Sequence, residues 1–315
     1  MVRVPSTARQ ADSTWHFRFD KRISNSGYNE RVMGESDHWK TKREVLVRDG
    51  VCIIEDILDA PLLDSVRRIA AEKISQLSDK HRAAQKSTGS MLANRDLPEL
   101  VDLITWPRTL QALHRLEFED VQFSRAYLIS KPPHSPPLFW HQDCTMWSGE
   151  PRAYSETTPQ LFAMFYLTDT TRENGCLRVI PGSHHRRHQL HDQIGIAHTA
   201  ETRRMDDPGS PLYAESEDQV DVLALAGDLV LGDGRTLHAS HANRSGHERT
   251  VITIWYHPMF SELQESTQAQ ISNLAQAEIE FWPQVAKDAI GPLAANYRGS
   301  AAALPRDRIP GTELH

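Results

Sequence analysis

The chain has 315 residues, of which 39% are hydrophobic and 24% charged, and it carries a formal net charge of −7. This composition is typical of a globular protein, and the negative charge does not favour binding to nucleic acid or an anionic membrane surface. No stretch approaches the roughly 18 continuous apolar residues of a transmembrane helix, and the N-terminus lacks an apolar run of signal-peptide length. Three scattered cysteines are too few for a disulfide framework, so we predict a cytoplasmic protein.

Up to about residue 120 the sequence predicts a polar arm, one strand and two helices. We expect the arm to span residues 1–44 and the strand to span 50–55. Asp59, followed by Pro61, is a typical start for a helix, because the aspartate caps the first turn and proline fits its early positions. The helices are predicted over 62–77 and 97–116, the second broken near Pro107.

From about residue 121 the pattern changes to short apolar segments separated by turn residues, which is typical of a sandwich, jelly roll or barrel. Because Asn174-Gly175 is a strong turn dipeptide, we predict a hairpin between 160–167 and 176–180. The fold class predicted is therefore mostly β with flanking helices. The predicted strands are 121–130, 160–167, 176–180, 220–225, 227–231, 235–240 and 249–257.

Two later regions depart from the strand pattern. Residues 183–219 form a polar insert, and a connection of this length inside a β domain is often a lid or binding loop. After residue 258 helical sequence returns, as in 269–281, so we predict that 259–315 is a helical extension packed on the same domain. The β domain itself is predicted to span 45–258.

Residues 139–143, Phe-Trp-His-Gln-Asp, place two metal-ligating side chains two positions apart. On a strand, His141 and Asp143 would point to the same side. Such a pair is common by chance, and alone it is equally consistent with a polar strand end. A distant histidine would complete a set of two histidines and one carboxylate, which leaves positions open on Fe(II) for a cosubstrate and O₂.

Three histidines in the distal segment are candidates for that third ligand: His238, His241 and His247. We favour His238, because it lies at the end of an apolar strand. His241 would face the other way, where a structural hydrogen bond is the better interpretation.

Arg249 follows His238 by eleven residues and lies in a predicted strand. An arginine inside a β domain is costly unless it is paired with an anion. A dicarboxylate such as 2-oxoglutarate is a suitable bidentate partner for the guanidinium, and Ser240 could hydrogen-bond the same carboxylate. The combined pattern indicates a 2-oxoglutarate-dependent oxygenase.

These segments resemble the phytanoyl-CoA dioxygenase (PhyH-like) family of Fe(II)/2-oxoglutarate oxygenases. The resemblance rests on Trp-His-Gln-Asp at 140–143, on Asn-Gly-Cys-Leu-Arg-Val-Ile-Pro-Gly-Ser-His at 174–184, and on Gly227-Asp228 followed by 238–249. It covers roughly residues 45–258. It implies a double-stranded β-helix, or jelly roll, with Fe(II) as metal and with 2-oxoglutarate and O₂ as cosubstrates.

The resemblance also implies residue roles. His141, Asp143 and His238 would bind the iron, and Arg249 would hold the distal carboxylate of 2-oxoglutarate with help from Ser240. In related halogenases a small residue replaces the carboxylate ligand, so Asp143 favours hydroxylation over halogenation. The activity implied is oxidation of a C–H bond in a small organic molecule, with release of succinate and CO₂.

The sequence says less about the substrate. Trp147, Tyr127 and Tyr154 are candidate substrate-binding residues, because aromatic side chains suit an apolar or ring-containing molecule, although ordinary packing explains them equally well. Arg186 and Arg187 could meet an anionic substrate, but a solvated basic loop is the simpler interpretation. The oligomeric state is not determined by these patterns. The insert contains five histidines that invite a second metal site, but no ligand geometry supports one: His184, His185, His188, His191 and His198.

Two rival interpretations use the same fold. A cupin-type metal enzyme would have a site dominated by histidine and would not need Arg249. A non-catalytic binding protein would be expected to have lost a metal ligand. The complete ligand set together with Arg249 therefore favours the dioxygenase.

Overall fold

The computed structural model describes residues 35–315, and two antiparallel sheets form its centre. In chain order its strands are β1 (Val51–Ile54), β2 (Ser90–Ala93), β3 (Gln122–Lys131), β4 (Leu138–His141), β5 (Leu161–Tyr166), β6 (Leu177–Val179), β7 (Val220–Val222), β8 (Leu229–Asp233), β9 (His238–Ser240) and β10 (Arg249–His257). Within the described residues the larger sheet has the order β1-β8-β5-β10-β3-β2, and the smaller has the order β4-β9-β6-β7. Two facing antiparallel sheets are the layers of a jelly roll, as predicted.

Helices cover the outer face of the larger sheet. Asp59 accepts a hydrogen bond from the Leu62 amide, 3.0 Å away, and so caps the first of the predicted helices as expected. Within residues 35–315 no helix combines the length and the apolar character needed to cross a membrane. The helices are α1 (Glu35–Asp49), α2 (Ala60–Ser75), α3 (Asp79–Ala84), α4 (Val101–Ile104), α5 (Pro107–Arg115), α6 (Ala200–Arg204), α7 (Glu265–Ile279) and α8 (Gln284–Ile290).

The alternation of β10 divides the core into two layers. Ile252 and Ile254 join the cluster under the helices, while Val251 and Trp255 join the cluster between the two sheets. Because side chains alternate between the two faces of a strand, Arg249 lies on the inner face with Val251. The interior between the sheets is therefore where the buried arginine lies.

The structure corrects the predicted hairpin. β5 pairs with β8 and β10 in the larger sheet, whereas β6 pairs with β7 and β9 in the smaller one. The Asn-Gly turn thus lies on a connection between sheets, where it does not close a ladder between neighbouring strands. Local turn chemistry identified the turn, but pairing is decided by which inner face each strand buries.

Several boundaries also differ from the predictions. Helix α1 (Glu35–Asp49) crosses the predicted end of the arm at residue 44, and the remainder of the arm lies outside the described residues. The predicted break at Pro107 is present, since proline begins α5 there. β2 had no strong signal in the sequence. β4 ends at His141, so Asp143 lies just beyond the strand on which it was predicted.

The insert and the C-terminal extension both pack against the domain. In the insert, Leu190, Ile194 and Leu212 share a buried cluster with Phe139 and Trp140. The extension packs Phe260, Ile271 and Leu314 against Trp147 and its neighbours in a separate cluster. The insert thereby covers β4 and β9, and the extension covers the segment that follows β4.

A buried ion pair fixes the turn between β8 and β9. Arg235 Nε and Nη2 donate to the two carboxylate oxygens of Asp233, at 2.9 and 2.6 Å, and Nη1 donates to the carbonyl oxygens of Ala153 and Ser155. Burial raises the pKa of Asp233, but Arg235 more than offsets this and holds that pKa below its usual value. The turn is therefore rigid, and its backbone is available for other contacts.

We predict that Arg235→Met destabilises the fold by about 3–5 kcal/mol, because it leaves the Asp233 carboxylate buried without a counter-charge. Urea denaturation measures the loss. Arg172→Met is the matched control, because Arg172 is half-exposed in its ion pair with Glu215 and should change stability by less than about 1 kcal/mol. Equal effects of the two substitutions would contradict the role given to Arg235.

Candidate metal centre and active site

A cavity of about 200 Å³ opens between the sheets, beside β4, β9 and β10. The predicted metal and cosubstrate residues meet there although they come from separate segments. The following predicted residues line it: His141, Asp143, His238, Ser240 and Arg249.

The two histidines are oriented by their own backbone neighbours. His141 Nδ1 donates to the Phe139 carbonyl at 3.0 Å, and His238 Nδ1 donates to the Thr236 carbonyl at 2.9 Å. Each bond leaves the Nε2 lone pair free, which is the form of histidine that binds a metal. The ring centroids are 4.1 Å apart, and burial together with the nearby His238 lowers the pKa of His141 to about 3.

Asp143 completes the group from the loop after β4. Its backbone amide donates to the Gly234 carbonyl at 2.8 Å, so the β8–β9 turn holds this residue in place. Its Oδ1 lies 3.9 Å from His141 Nε2, and its Oδ2 lies 3.7 Å from His238 Nε2. The Asp143 carboxylate therefore lies between the Nε2 atoms of His141 and His238.

The Asp143 carboxylate is also oriented and kept ionised. Trp255 Nε1 donates to its Oδ2 at 2.9 Å. Burial raises the pKa of Asp143, but the two histidines and the Trp255 bond together lower it below its usual value. A carboxylate with two neutral imidazoles is a donor set suited to Fe(II).

A further histidine, His198 of the insert, reaches the same centre. Its ring stands at 87° to that of His141 with centroids 4.7 Å apart, and one ligand atom each from His141, Asp143 and His198 lie within 4.8 Å of one another. His198 has a φ of 68°, in the left-handed region that a histidine adopts infrequently. The sequence analysis named His198 only among the histidines of the insert and predicted no place for it at this centre.

Unpaired polar atoms mark the other end of the cavity. Arg249 Nε, Ser240 Oγ and Thr253 Oγ1 are buried and have no hydrogen-bond partner among the described residues. Burial lowers the pKa of the Arg249 guanidinium, and no carboxylate of the described residues offsets this. Buried polar groups without partners are costly, so this end of the cavity is suited to an anionic ligand with several acceptor oxygens.

The predicted substrate residues separate into two groups. Tyr127 lines the cavity and packs edge-on against Trp255, with ring centroids 5.6 Å apart. Trp147 and Tyr154 pack against each other beneath the C-terminal extension, and the Tyr154 hydroxyl accepts a bond from the Gly311 amide. The structure thus brings Tyr127 to the centre and leaves the other two in a packing cluster.

His241 lies away from the cavity and bonds to Asp221 through Nε2 at 2.6 Å, which is the structural hydrogen bond predicted for it. Cys176 lies beside this pair, and the three form a second group of potential metal ligands. Arg172, however, already forms an ion pair with Asp221. This group is therefore explained by charge pairing without an ion.

Four arginines on the cavity wall were missed by sequence reasoning: Arg125, Arg203, Arg306 and Arg308. Alternation along β3 could have identified one of them, because Arg125 shares a face with Tyr127. The others come from α6 and from an irregular C-terminal segment, where no periodicity indicates which side chains turn inward.

A model of the phytanoyl-CoA dioxygenase family matches residues 46–251. The chain belongs to this family. Membership confirms the predicted fold family and the predicted reaction class, an iron- and 2-oxoglutarate-dependent dioxygenase. The predicted motifs at 140–143 and 238–249 lie inside the matched region.

Curated relatives match the chain at low identity. The ectoine dioxygenase of Nocardia farcinica is 26% identical over 242 residues, which cover 69% of this chain and 77% of that protein. A probable α-ketoglutarate-dependent hypophosphite dioxygenase of Stutzerimonas stutzeri is 24% identical over 209 residues, covering 62% and 69%. The two relatives have chemically unlike substrates, so family membership leaves the substrate open.

Solved structures show the same fold. The epimerase SnoN, in a complex with Fe³⁺, α-ketoglutarate and nogalamycin RO, superimposes with a TM-score of 0.53 at 19% identity, over 87% of this chain and 98% of that one. HygX of Streptomyces hygroscopicus, with nickel and 2-oxoglutarate bound, gives 0.51 at 17% identity over 70% and 87%. At these identities the comparison supports the jelly-roll fold alone.

Proposed function

We propose that His141, Asp143 and His238 bind Fe(II), and that Arg249 and Ser240 bind the distal carboxylate of 2-oxoglutarate. The enzyme then oxidises a C–H bond of a small organic molecule, with release of succinate and CO₂. One observation carries the proposal: three oriented ligand side chains and an unpaired buried arginine line one cavity.

The three cysteines are buried and unpaired, which supports the reducing cytoplasm as the proposed location.

When bound, Fe(II) and 2-oxoglutarate supply the oxidising power for O₂ chemistry. The residues of this chain supply position and environment. The backbone bonds of His141 and His238 fix which ring nitrogen faces the metal, and Trp255 fixes the carboxylate of Asp143. Such outer-shell bonds restrict the geometry at the metal before any ligand arrives.

The cavity wall also separates the centre from water. Met164, Leu177 and Val251 form its apolar side between the two sheets, while the insert and the C-terminal segment cover its mouth. Exclusion of water strengthens electrostatic contacts to the cosubstrate and limits side reactions. The position of Tyr127 on this wall supports its role as a substrate contact.

The choice between His238 and His198 rests on their attachment. His238 belongs to β9, which is held by strands on both sides, and its Nδ1 is hydrogen-bonded. His198 Nε2 is buried without a described partner, and the residue lies in the insert. We therefore assign the third iron ligand to His238 and place His198 on the substrate side of the centre.

We predict that His238→Ala weakens Fe(II) binding by more than about 100-fold. Loss of an outer-shell partner alone costs up to about 100-fold, and loss of a direct ligand should cost more. His198→Ala is the matched control and should keep Fe(II) affinity within a few-fold of wild type. Calorimetric titration with Fe(II) under anaerobic conditions measures both affinities. The reverse order of the two variants would transfer the ligand role to His198.

Arg249→Ala should weaken 2-oxoglutarate binding by about 100-fold or more, because a charge-assisted bidentate contact is lost. Fe(II) and then 2-oxoglutarate are added anaerobically, and the visible metal-to-ligand charge-transfer band reports binding. Arg186→Ala, an exposed arginine of the insert, should leave the band and its midpoint unchanged. A normal midpoint in Arg249→Ala would refute the assignment of the cosubstrate anchor.

Trp255→Phe removes the indole donor to Asp143 and should weaken Fe(II) binding about 10- to 100-fold. Trp147→Phe is its control, since Trp147 is equally buried but its Nε1 has no partner among residues 35–315. Both affinities are measured by the same anaerobic titration. Equal loss in the two variants would mean that packing, and not the bond to Asp143, is responsible.

A further inference from the structure

Four arginines besides Arg249 face the cavity, and they come from three regions of the chain. Arg125 lies on β3, Arg203 on α6 of the insert, and Arg306 and Arg308 on the C-terminal segment. The proposed iron and 2-oxoglutarate residues use none of them. A role for this group must therefore be sought in a third ligand.

None of the four forms an ion pair with a carboxylate in the part of the chain that the structure describes. Arg125 lies over the Trp255 ring, 4.9 Å from its centroid, and its Nε has no hydrogen-bond partner there. Arg203 Nε is likewise buried and unpartnered. Arg308 Nη1 donates to the Gln142 carbonyl at 3.1 Å, a neutral partner beside Asp143.

The charges on the wall do not balance. Among the described residues the cavity is lined by five arginines and one carboxylate, Asp143. Burial, followed by repulsion from Arg125, lowers the pKa of Arg306, and burial lowers the pKa of Arg308 to about 10. The two charges of Fe(II) and those of the 2-oxoglutarate dianion cancel each other, so loading the centre leaves the excess of positive charge in place.

The excess lies at the opposite end of the cavity from the proposed cosubstrate anchor. In the register of β10 with β3, Arg249 is opposite Lys131, whereas Trp255 is opposite Arg125. Six residues along β10 separate the two ends by about 20 Å between Cα atoms. The iron-binding group is joined to the Trp255 end by the bond between Trp255 and Asp143. The cavity thus has room for a second anion beyond 2-oxoglutarate.

We propose that the substrate carries an anionic group, a carboxylate, phosphate or sulfate, which Arg203 and Arg306 bind together with Arg125 and Arg308. This inference rests on the proposed function, since it places the substrate beside the proposed iron centre. His198 also lines the cavity beside His141, and its unpartnered Nε2 can form a hydrogen bond to the same molecule. The bound anion brings the adjacent C–H bonds of the substrate to the iron.

Sulfate is the probe for this site, because it needs no apolar contacts and binds metals weakly. The protein is loaded with Ni(II), which does not react with O₂, and saturated with 2-oxoglutarate. Sulfate is then titrated against chloride at equal ionic strength, and calorimetry and Trp fluorescence report binding. We expect saturable binding of sulfate that Arg203→Gln and Arg306→Gln each weaken about tenfold or more.

Arg186→Gln is the charge-matched control, an exposed arginine of the same insert that does not line the cavity, and it should not alter sulfate binding. The 2-oxoglutarate affinity of every variant should equal that of wild type, which also shows that the variants are folded. Acetate and phosphate in the same assay rank the three anionic groups.

The outcomes separate the two proposals. If 2-oxoglutarate fails to bind the Ni(II)-loaded protein, the proposed function is wrong. If 2-oxoglutarate binds but sulfate shows no saturable binding, or if Arg203→Gln and Arg306→Gln bind sulfate as wild type does, only the anionic substrate is refuted.

Discussion

The proposed iron site depends on the short turn between β8 and β9, which the buried pair of Asp233 and Arg235 holds rigid. The Gly234 carbonyl of this turn accepts the Asp143 amide, and the Thr236 carbonyl accepts His238 Nδ1. One turn therefore positions a residue from each half of the proposed iron site. Both contacts are made to backbone atoms, so they are independent of which side chains occupy the neighbouring positions. Further hydrogen bonds offset the cost of burying this ion pair, since Asp233 also accepts from the Arg235 amide and Arg235 donates to Ala153 and Ser155.

The electrostatics of the cavity follow from what the core leaves unpaired. The larger sheet buries Arg249 on its inner face, where the described residues offer no anion, and the smaller sheet adds the unpartnered Ser240 hydroxyl. A polar group in such a position is stabilised only when a ligand arrives. An anionic ligand would satisfy this hydrogen-bonding capacity, so the cavity favours molecules whose acceptor atoms match Arg249 and Ser240.

The sequence determined the centre of the site better than its edges. His141, Asp143, His238 and Arg249 were predicted from spacing, strand alternation and family resemblance, and all four line the cavity. The predicted hairpin was wrong, since strand pairing depends on which sheet buries each apolar face and not on the turn alone. His198 and Arg306 were missed for another reason: they lie on irregular segments, whose inward side chains are set by tertiary packing. Trp147 and Tyr154 are the opposite kind of error. They lie near the metal-binding motif in sequence, but in the fold they pack in a separate cluster away from the cavity.

The residues of the cavity wall come from separate parts of the chain. This affects how the specificity of such an enzyme can change. The proposed metal and cosubstrate residues lie on or next to strands that the two sheets constrain, whereas Arg203, Arg306 and His198 belong to the insert and the C-terminal segment. Insertions, deletions and exchanges in those segments would alter which molecule is accepted while the oxidising centre stays intact. The metal and cosubstrate residues can therefore change at a different rate from the residues of the insert and the C-terminal segment. A new specificity can then evolve without passing through a variant that has lost its oxidising activity.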